Sequence, residues 1–306
     1  MYQPLNEASR KYLYFTNVRK NLFLMSIVTM IMLFVLSLLS KTPPSVPPSS
    51  KYGIITLFSK NHLCETIHSC QTYATIPEIK NKIIPLIALY ASDVSKKDLE
   101  TYHYHCPYVQ LRPFTVSSYP EYFKDLKNYR FKFPTVASVL PEFKTIMYVD
   151  ASIRFTAPKN ETLTDMFKSM ETQFAKTGFR LLGKSFHHNY PVTHPDMYAF
   201  FNVTEKQMKE TNQFHSGLYF LNNSPAGWKV MNKMIQCALQ PKCMAPKGAK
   251  ARCNYRLLKE NKHILCHRFD QSALNMRLIE LYGKNETLYY RPSSIVNIVQ
   301  MSKCSL

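Results

Sequence analysis

Three groups of polar residues in this 306-residue chain stand where predicted strands and helices begin or end. Asp150 follows the apolar run 145–149, His-Ser-Gly at 215–217 opens a strand, and Cys-His-Arg-Phe-Asp-Gln at 266–271 opens a helix. Ligands of open α/β proteins bind beyond the carboxyl ends of the strands, where such residues collect. We therefore expect Asp150 and Asp270 to face each other across one cleft. A base or bound substrate must then separate the two carboxylates, and Arg154 and Arg268 are the nearest bases in the sequence.

The run before Asp150 predicts the strand that presents it. Thr145 to Val149 are β-branched or large and apolar, and the run is too short for a stable helix. It is therefore predicted to be a strand that is buried on both faces of a parallel sheet. Asp150 could alternatively do no more than cap the turn that follows, as Asx residues often do.

Strands and helices alternate along the rest of the chain, which predicts parallel βαβ units and an α/β fold. Apolar and β-branched runs predict strands at 52–58, 83–91, 109–114, 145–149, 179–183 and 216–221. Helical spacing and caps predict helices at 95–106, 120–128, 133–143, 161–174, 226–239 and 269–281. The chain has 7 glycines, 19 prolines and no GxGxxG or Walker pattern, which argues against a glycine-cradled nucleotide loop.

The amino-terminal segment predicts a membrane anchor. Residues 21–40 carry no charge over twenty positions, enough to cross a hydrocarbon core as a helix, and a cleaved signal peptide is the alternative. Four bases and one acid, Glu7, precede the span, so residues 1–20 are predicted to be a cytosolic tail. Residues 41–51, rich in Pro and Ser, are typical of an extended stem, and residues 52–306 are predicted to form the lumenal domain.

Two features agree with a lumenal domain. All eight cysteines follow residue 40, which favours disulfides in an oxidising compartment, and no C-x-x-C pair suggests zinc. Four sequons, at Asn160, Asn202, Asn222 and Asn285, would be glycosylation sites there, although Pro225 weakens the third. The predicted location is the Golgi or ER membrane, with the chain as a single-pass type II protein.

The net charge of the chain points to an anionic partner. It is +19, of which the first twenty residues contribute only +3. Nucleotide sugars, acidic glycans and lipid headgroups all fit a basic lumenal domain, whereas nucleic acid does not fit its topology. The alternative is that the surface of the lumenal domain is basic without binding any specific anionic partner.

Several short motifs carry a resemblance to known proteins. They are 118–120 (Ser-Tyr-Pro), 126–129 (Leu-Lys-Asn-Tyr), 132–134 (Lys-Phe-Pro), 149–155 (Val-Asp-Ala-Ser-Ile-Arg-Phe), 193–198 (Thr-His-Pro-Asp-Met-Tyr), 237–239 (Cys-Ala-Leu), 243–246 (Cys-Met-Ala-Pro) and 266–275 (Cys-His-Arg-Phe-Asp-Gln-Ser-Ala-Leu-Asn). Their order resembles the GT-A nucleotide-sugar glycosyltransferases. Over most of residues 80–280 the chain more closely resembles an uncharacterised invertebrate family of single-span proteins with a domain of unknown function.

The resemblance implies a fold and an activity. The fold would be GT-A-like, with a mixed, mostly parallel sheet flanked by helices. The activity would be transfer of a sugar from a nucleotide-sugar donor to a glycan or glycoprotein acceptor, by a type II membrane enzyme. A non-catalytic lumenal glycan-binding or scaffolding protein of the same fold is the alternative.

The resemblance also implies roles for individual residues. Manganese bridges the donor diphosphate in GT-A enzymes, but here Asp150 would be its single carboxylate ligand, because Ser152 holds the second acidic position. Basic side chains held in the cleft could instead neutralise the charge of the diphosphate. We therefore assign donor binding to Asp150, Ser152, Arg154, Lys132 and Arg268.

Asp270 and Gln271 are the predicted catalytic pair. Acceptor binding is assigned to His194, His215, Ser216, Gly217 and His267. The alternatives are a helix N-cap for Asp270, surface or salt-bridged roles for the bases, and structural roles for the histidines.

Overall fold

A computed structural model describes residues 50–157, 160–293 and 295–298. No helix within these ranges is both long and apolar enough to cross a membrane. The predicted cytosolic tail, the span at 21–40 and nearly all of the stem lie outside the described residues.

The described residues form alternating strands and helices. The strands are Ser50–Phe58 (β1), Leu86–Tyr90 (β2), Gln110–Pro113 (β3), Phe143–Val149 (β4), Ile153–Phe155 (β5), Phe179–Leu181 (β6), Lys184–His188 (β7), Asn212–Phe214 (β8), Leu218–Asn222 (β9) and Val296–Ile298 (β10). The α-helices are Leu63–Tyr73 (α1), Pro77–Lys80 (α2), Lys96–His105 (α3), Lys132–Val139 (α4), Leu163–Glu171 (α5), Glu205–Glu210 (α6), Pro225–Leu239 (α7) and Phe269–Tyr282 (α8). Short 3-10 helices connect them, among them Glu121–Phe123, Leu126–Asn128 and Pro195–Ala199.

The central sheet has six strands in the order β3-β2-β1-β4-β9-β6. Strands β1 to β4 pair in parallel, while β9 is antiparallel to both β4 and β6. The predicted mixed, mostly parallel sheet flanked by helices is confirmed. The expectation of a parallel sheet on both sides of β4 is wrong on one side, because β9 is reversed. This reversal brings the amino end of β9 beside the carboxyl end of β4.

Two hydrophobic clusters lie on opposite faces of the sheet, because successive side chains of a strand alternate between the faces. Ile146 and Tyr148 of β4 belong to the cluster that includes α4, α7 and α8. Met147 and Val149 belong to the cluster that includes α1, α3 and α5. All four side chains are at most 1% exposed, so β4 is buried on both faces as predicted.

Three disulfides join described cysteines: Cys70–Cys106, Cys237–Cys243 and Cys253–Cys266. The expectation that the cysteines form disulfides is therefore confirmed for these pairs. The first joins α1 to the end of α3, and the third joins a long loop to the residues before α8.

The four predicted glycosylation sites differ in their surroundings. Asn160, Asn202 and Asn285 are exposed. Asn222 lies in β9, where its Nδ2 donates to the Met170 carbonyl (2.8 Å) and its Oδ1 accepts from the Thr145 hydroxyl (2.8 Å). The Asn222 amide is thus used inside the sheet, which corrects the expectation that this sequon accepts a glycan in the folded protein.

Candidate active site

Asp150 lies directly after β4, at the carboxyl edge of the sheet. Its backbone N–H donates to the carbonyl of Gly217 (2.8 Å), which ties the end of β4 to the start of β9. Its Oδ1 accepts a hydrogen bond from the Tyr148 hydroxyl (2.5 Å), and its Oδ2 accepts one from Lys132 Nζ (2.9 Å). The side chain therefore does not cap the following turn. A carboxylate that is held from two sides has a fixed position, as a binding or catalytic group requires.

Lys132 is the first residue of α4, and its ammonium group lies between two aspartates. Nζ is 2.9 Å from Asp150 Oδ2 and 3.1 Å from Asp270 Oδ2, and the lysine side chain is only 8% exposed. Burial disfavours the charged form, but the two carboxylates outweigh burial and raise the pKa of Lys132 above its ordinary value. The prediction that Asp150 and Asp270 share one cleft with a cation between them is confirmed. The cation is Lys132, however, and neither Arg154 nor Arg268.

Asp270 is the second residue of α8 and is not its N-cap. Arg268 occupies the N-cap position, without a side-chain capping bond. Asp270 Oδ2 accepts hydrogen bonds from Lys132 Nζ and from Ser216 Oγ (2.8 Å), so the capping alternative fails. Asp270 Oδ1 accepts no hydrogen bond from the residues that the structure describes. Phe269, just before it, has a left-handed φ of 43°, a conformation that costs a non-glycine residue about 1–3 kcal/mol.

The tripeptide His215-Ser216-Gly217 reaches the same cleft because β9 runs antiparallel to β4. A Cβ on residue 217 would lie 2.4 Å from Asp150 Oδ2, so this position needs glycine for close approach. Burial, with a smaller contribution from the charge of Arg268, lowers the pKa of His215 to about 4. The His215 imidazole is therefore neutral at neutral pH and can donate or accept one hydrogen bond at each nitrogen.

Gln271 follows Asp270 and also lines the cleft. Its Nε2 donates to Gln213 Oε1 (2.6 Å). This contact fixes the carboxamide beside the carboxylate of Asp270.

Two adjoining cavities open at this edge of the sheet. The smaller, about 170 Å³, is lined by residues from the three groups around Asp150, Ser216 and Asp270. The larger, about 490 Å³, lies beyond the carboxyl ends of β1 and β4. Both cavities are lined by Tyr129, Lys132, Asp150 and Ser152. Asp150 and Lys132 therefore stand where the two cavities meet, and Asp270 lines the smaller one; these three residues are hereafter called the ion triad.

Arg268, a predicted donor-binding base, lines the smaller cavity. Its guanidinium makes no hydrogen bond or ion pair with any side chain in the described part of the protein. Arg154 does not reach the site: its guanidinium donates to the carbonyls of Ala151 (2.7 Å), Ile153 (3.1 Å) and Glu65 (3.1 Å). It anchors β5 to α1, which corrects its predicted role in donor binding.

Two of the predicted acceptor-binding histidines, His267 and His194, make structural hydrogen bonds. His267 is fully buried, with Nδ1 accepting from the backbone N–H of His194 (3.2 Å) and Nε2 donating to the carbonyl of Met244 (2.9 Å). Burial lowers the pKa of His267 to about 4, so it holds this neutral form at neutral pH. His194 lines neither cavity, and its Nδ1 accepts from the N–H of Asp196 (3.2 Å) at the start of a 3-10 helix. The assignment of His194 to the acceptor is therefore corrected, whereas His267 also lines the smaller cavity and its assignment stays a prediction.

Three residues that hold the site together were not predicted from the sequence: Tyr148, Tyr129 and Gln213. Tyr148 stands two residues before Asp150, and strand periodicity could have placed the two on one face. Tyr129, with a φ of 56°, places its ring 5.0 Å from Lys132 Nζ. Gln213 stands two residues before His215 in the same extended segment, so the same periodicity applies.

The residues present do not fit the divalent cation that the resemblance implies. Each of the two carboxylates that could bind it gives one oxygen, Oδ2 of Asp150 and Oδ2 of Asp270, to the ammonium of Lys132, which already holds a positive charge between them. Among the described residues, no group of three or more His, Cys, Asp or Glu side chains is arranged to hold a metal ion. The charge between the two aspartates is supplied by a lysine of the chain itself.

Comparisons with known proteins give one family and a set of solved structures. A family described as a protein of unknown function, DUF1647, matches residues 46–137. No curated protein matches the sequence. Among solved structures, xyloside xylosyltransferase 1 from mouse is 11% identical, with 79% of this chain and 84% of that chain covered and a TM-score of 0.45.

Two further solved structures are similar to a comparable degree. Core-mannan synthase A from Aspergillus fumigatus, in a Mn/GDP form, is 10% identical, covers 87% of this chain and 80% of its own, and has a TM-score of 0.47. The galactosyltransferase LgtC, in complex with donor and acceptor sugar analogs, is 11% identical, covers 82% and 88%, and has a TM-score of 0.39. At these identities the function has to be argued from the chemistry of the site.

Proposed function

We propose that the protein is a glycosyltransferase that moves a sugar from a nucleotide-sugar donor to a glycan or glycoprotein acceptor. The observation that carries this proposal is the ion triad, two of whose residues stand where the two cavities meet. Two carboxylates and a buried lysine, fixed by tyrosine and serine hydroxyls, form a preorganised polar centre at the edge where α/β proteins bind ligands.

The larger cavity is assigned to the nucleoside of the donor. Its volume of about 490 Å³ falls within the range of small-molecule sites. An ammonium group has three N–H donors, and Asp150 and Asp270 accept two of those of Lys132, which leaves one for a diphosphate oxygen. Arg268 is the second cation in the cleft, and its guanidinium suits a phosphate oxygen pair. Lys132 and Arg268 together balance the two carboxylates, so the donor meets no net negative charge.

The smaller cavity is assigned to the transferred sugar and the acceptor hydroxyl. In sugar transfer the bond from the anomeric carbon to the diphosphate oxygen breaks, a bond to the acceptor oxygen forms, and the acceptor proton is released. Positive charge develops on the sugar in the oxocarbenium-like transition state. Asp270 can stabilise that charge or accept the proton through Oδ1, while Gln271 positions the sugar through its fixed carboxamide.

The same proposal includes a membrane-anchored, lumenal location in the Golgi or ER. It is supported by the uncharged segment 21–40, by the bases that precede it and by the disulfides of the described domain. Exposed sequons at Asn160, Asn202 and Asn285 agree with that location.

The activity can be tested by incubating the purified full-length protein with a panel of nucleotide sugars and measuring thermal stabilisation and release of nucleoside diphosphate. We expect one donor to stabilise the protein and to be hydrolysed slowly without an acceptor. Stabilisation without turnover, even with acceptor glycans present, would support the non-catalytic glycan-binding alternative. Neither stabilisation nor turnover with any donor would refute the proposal.

A further inference from the structure

A strongly basic segment, residues 241–268, flanks the cleft and is hereafter called the basic loop. It contains eight Lys and Arg residues and a single acid, Glu260. Seven of the eight are exposed: Lys242, Lys247, Lys250, Arg252, Arg256, Lys259 and Lys262. None of the eight forms an ion pair with a residue in the described ranges. Charges of one sign gathered without partners repel each other, so a negatively charged partner would stabilise this surface.

The basic loop is held in place and is continuous with the cleft. The disulfide Cys253–Cys266 closes it, and the backbone N–H of His267 donates to the carbonyl of Lys250 (2.8 Å). Ala251 and Arg268, both in the loop, line the smaller cavity. The exposed bases at 250 and 252 therefore flank a residue of the cleft wall.

Two exposed aromatic rings lie beside the basic loop. Phe186 of β7 is 58% exposed and Tyr255 of the loop is 53% exposed, and their ring centroids are 6.2 Å apart. Flat apolar faces of this size suit the apolar face of a sugar ring, and their edges remain accessible to solvent.

We propose that the basic loop and the pair Phe186–Tyr255 bind an acidic glycan, a chain that bears carboxylate or sulfate groups, and lead its end into the cleft as the acceptor. This inference rests on the proposed function and names its acceptor class. An anionic membrane surface would also attract the bases. A glycan is favoured because the charged surface runs into the cavity assigned to the acceptor and is accompanied by aromatic rings.

The experiment uses the full-length protein in detergent and measures binding of four probes: heparin, hyaluronan, neutral dextran, and vesicles of phosphatidylserine and phosphatidylcholine. Heparin and hyaluronan separate sulfate from carboxylate recognition. The test variant is Lys247→Glu/Lys250→Glu/Arg252→Glu. The matched control, Lys80→Glu/Lys82→Glu/Lys176→Glu, makes the same change in net charge at exposed positions that precede β2 and β6, at the opposite edge of the sheet.

We expect an acidic glycan to bind, dextran not to bind, and raised salt to weaken binding. The test variant should weaken binding at least about tenfold, and the control variant less than about twofold, because the contacts are local and screened over a short distance. Equal losses in the two variants, or binding to the vesicles with no binding to either acidic glycan, would overturn the inference.

Turnover of the nucleotide sugar without acceptor, measured on the same variants, separates the two proposals. We expect the test variant to keep this turnover, since residues 247, 250 and 252 line neither cavity. Transfer to a neutral glycan with no binding of acidic glycans would refute the acceptor class and leave the proposed function standing. Glycan binding that depends on the basic loop, without any turnover of nucleotide sugar, would refute the proposed function. It would still support the basic loop as a glycan-binding surface.

Discussion

Lys132 and Asp270 are 138 positions apart in the sequence, and their side chains meet at 3.1 Å. The same ammonium group is 2.9 Å from Asp150, so one lysine connects α4, the end of β4 and the start of α8. Removing one partner of a buried ion pair costs about 3–5 kcal/mol, because the remaining charge is left without compensation. The ion triad therefore both fixes the edge of the sheet and sets the charge of the cleft.

Asp270→Asn should abolish sugar transfer and leave the fold intact. Asp150 still compensates Lys132 in this variant, so we expect a fall in kcat of at least about a thousandfold with a loss of stability below about 2 kcal/mol. Asp165→Asn, at a surface capping box of α5, is the matched control and should keep full activity. Steady-state kinetics and thermal unfolding test both variants, and an active Asp270→Asn protein would remove Asp270 from the chemistry.

Gly217→Ala should weaken donor binding, because it should displace the carboxylate of Asp150. The added methyl group would lie 2.4 Å from Asp150 Oδ2, which would push the carboxylate away from Lys132. We expect donor affinity to fall at least about tenfold, because the carboxylate loses its preorganised position. Titration calorimetry with the donor measures this effect. Unchanged affinity would show that the position of Asp150 is not critical.

His267 should make the domain less stable in acid. Burial lowers its folded pKa from 6.5 to about 4, so between these values the unfolded chain binds more protons than the folded one. Stability should therefore fall as pH drops from 6.5 to 4, by up to about 1.4 kcal/mol per pH unit for this histidine. Denaturant unfolding across that range should show a shallower slope for His267→Asn. An identical slope in the two proteins would argue against this assignment.

The proposed lumenal location predicts which sequons carry N-glycans. Asn160, Asn202 and Asn285 are exposed and should carry N-glycans, whereas Asn222 uses its amide inside β9 and should carry none. Mass spectrometry of protein from secretory membranes, before and after glycosidase, measures occupancy at each sequon. An unglycosylated protein with reactive thiols at the described cysteines would contradict the topology.

Strands and helices could be predicted from the sequence where neighbouring residues carry a recognisable pattern, such as an apolar run or an N-cap residue. The strand before Asp150 was visible as an apolar run, and the helix at 96–105 was predicted from Ser95, a residue suited to an N-cap, which the structure shows in a capping box with Asp98. The helix Leu63–Tyr73 was missed, although Leu63, Ile67 and Cys70 recur at helical spacing. The three-residue strands Ile153–Phe155 and Asn212–Phe214 are too short to carry a local pattern, and their pairing is decided by distant residues.

The candidate site was only partly predictable for the same reason. Asp150, Ser216 and Asp270 could be placed at one edge because they stand at the ends of elements that share it. Lys132 as the bridging cation could not be predicted, since nothing local at the start of a helix indicates which distant carboxylate it will meet. Arg154 was assigned to the cleft because it is close to Asp150 in the sequence, but its side chain lies outside the cleft.

Binding of the donor with and without Lys132 shows whether this lysine supplies the positive charge that the diphosphate needs in the cleft. Without this lysine the two aspartates leave a net negative charge beside the diphosphate, so Lys132→Met should weaken nucleotide-sugar binding at least about thirtyfold. Lys144→Met, which removes an exposed lysine paired with Glu171, is the matched control and should bind normally. The measurement is calorimetric titration of the donor into both variants and the native protein, with chelator or with manganese. We predict that chelator changes native affinity by less than about twofold. If chelator abolishes binding and Lys132→Met leaves it intact, the account is contradicted.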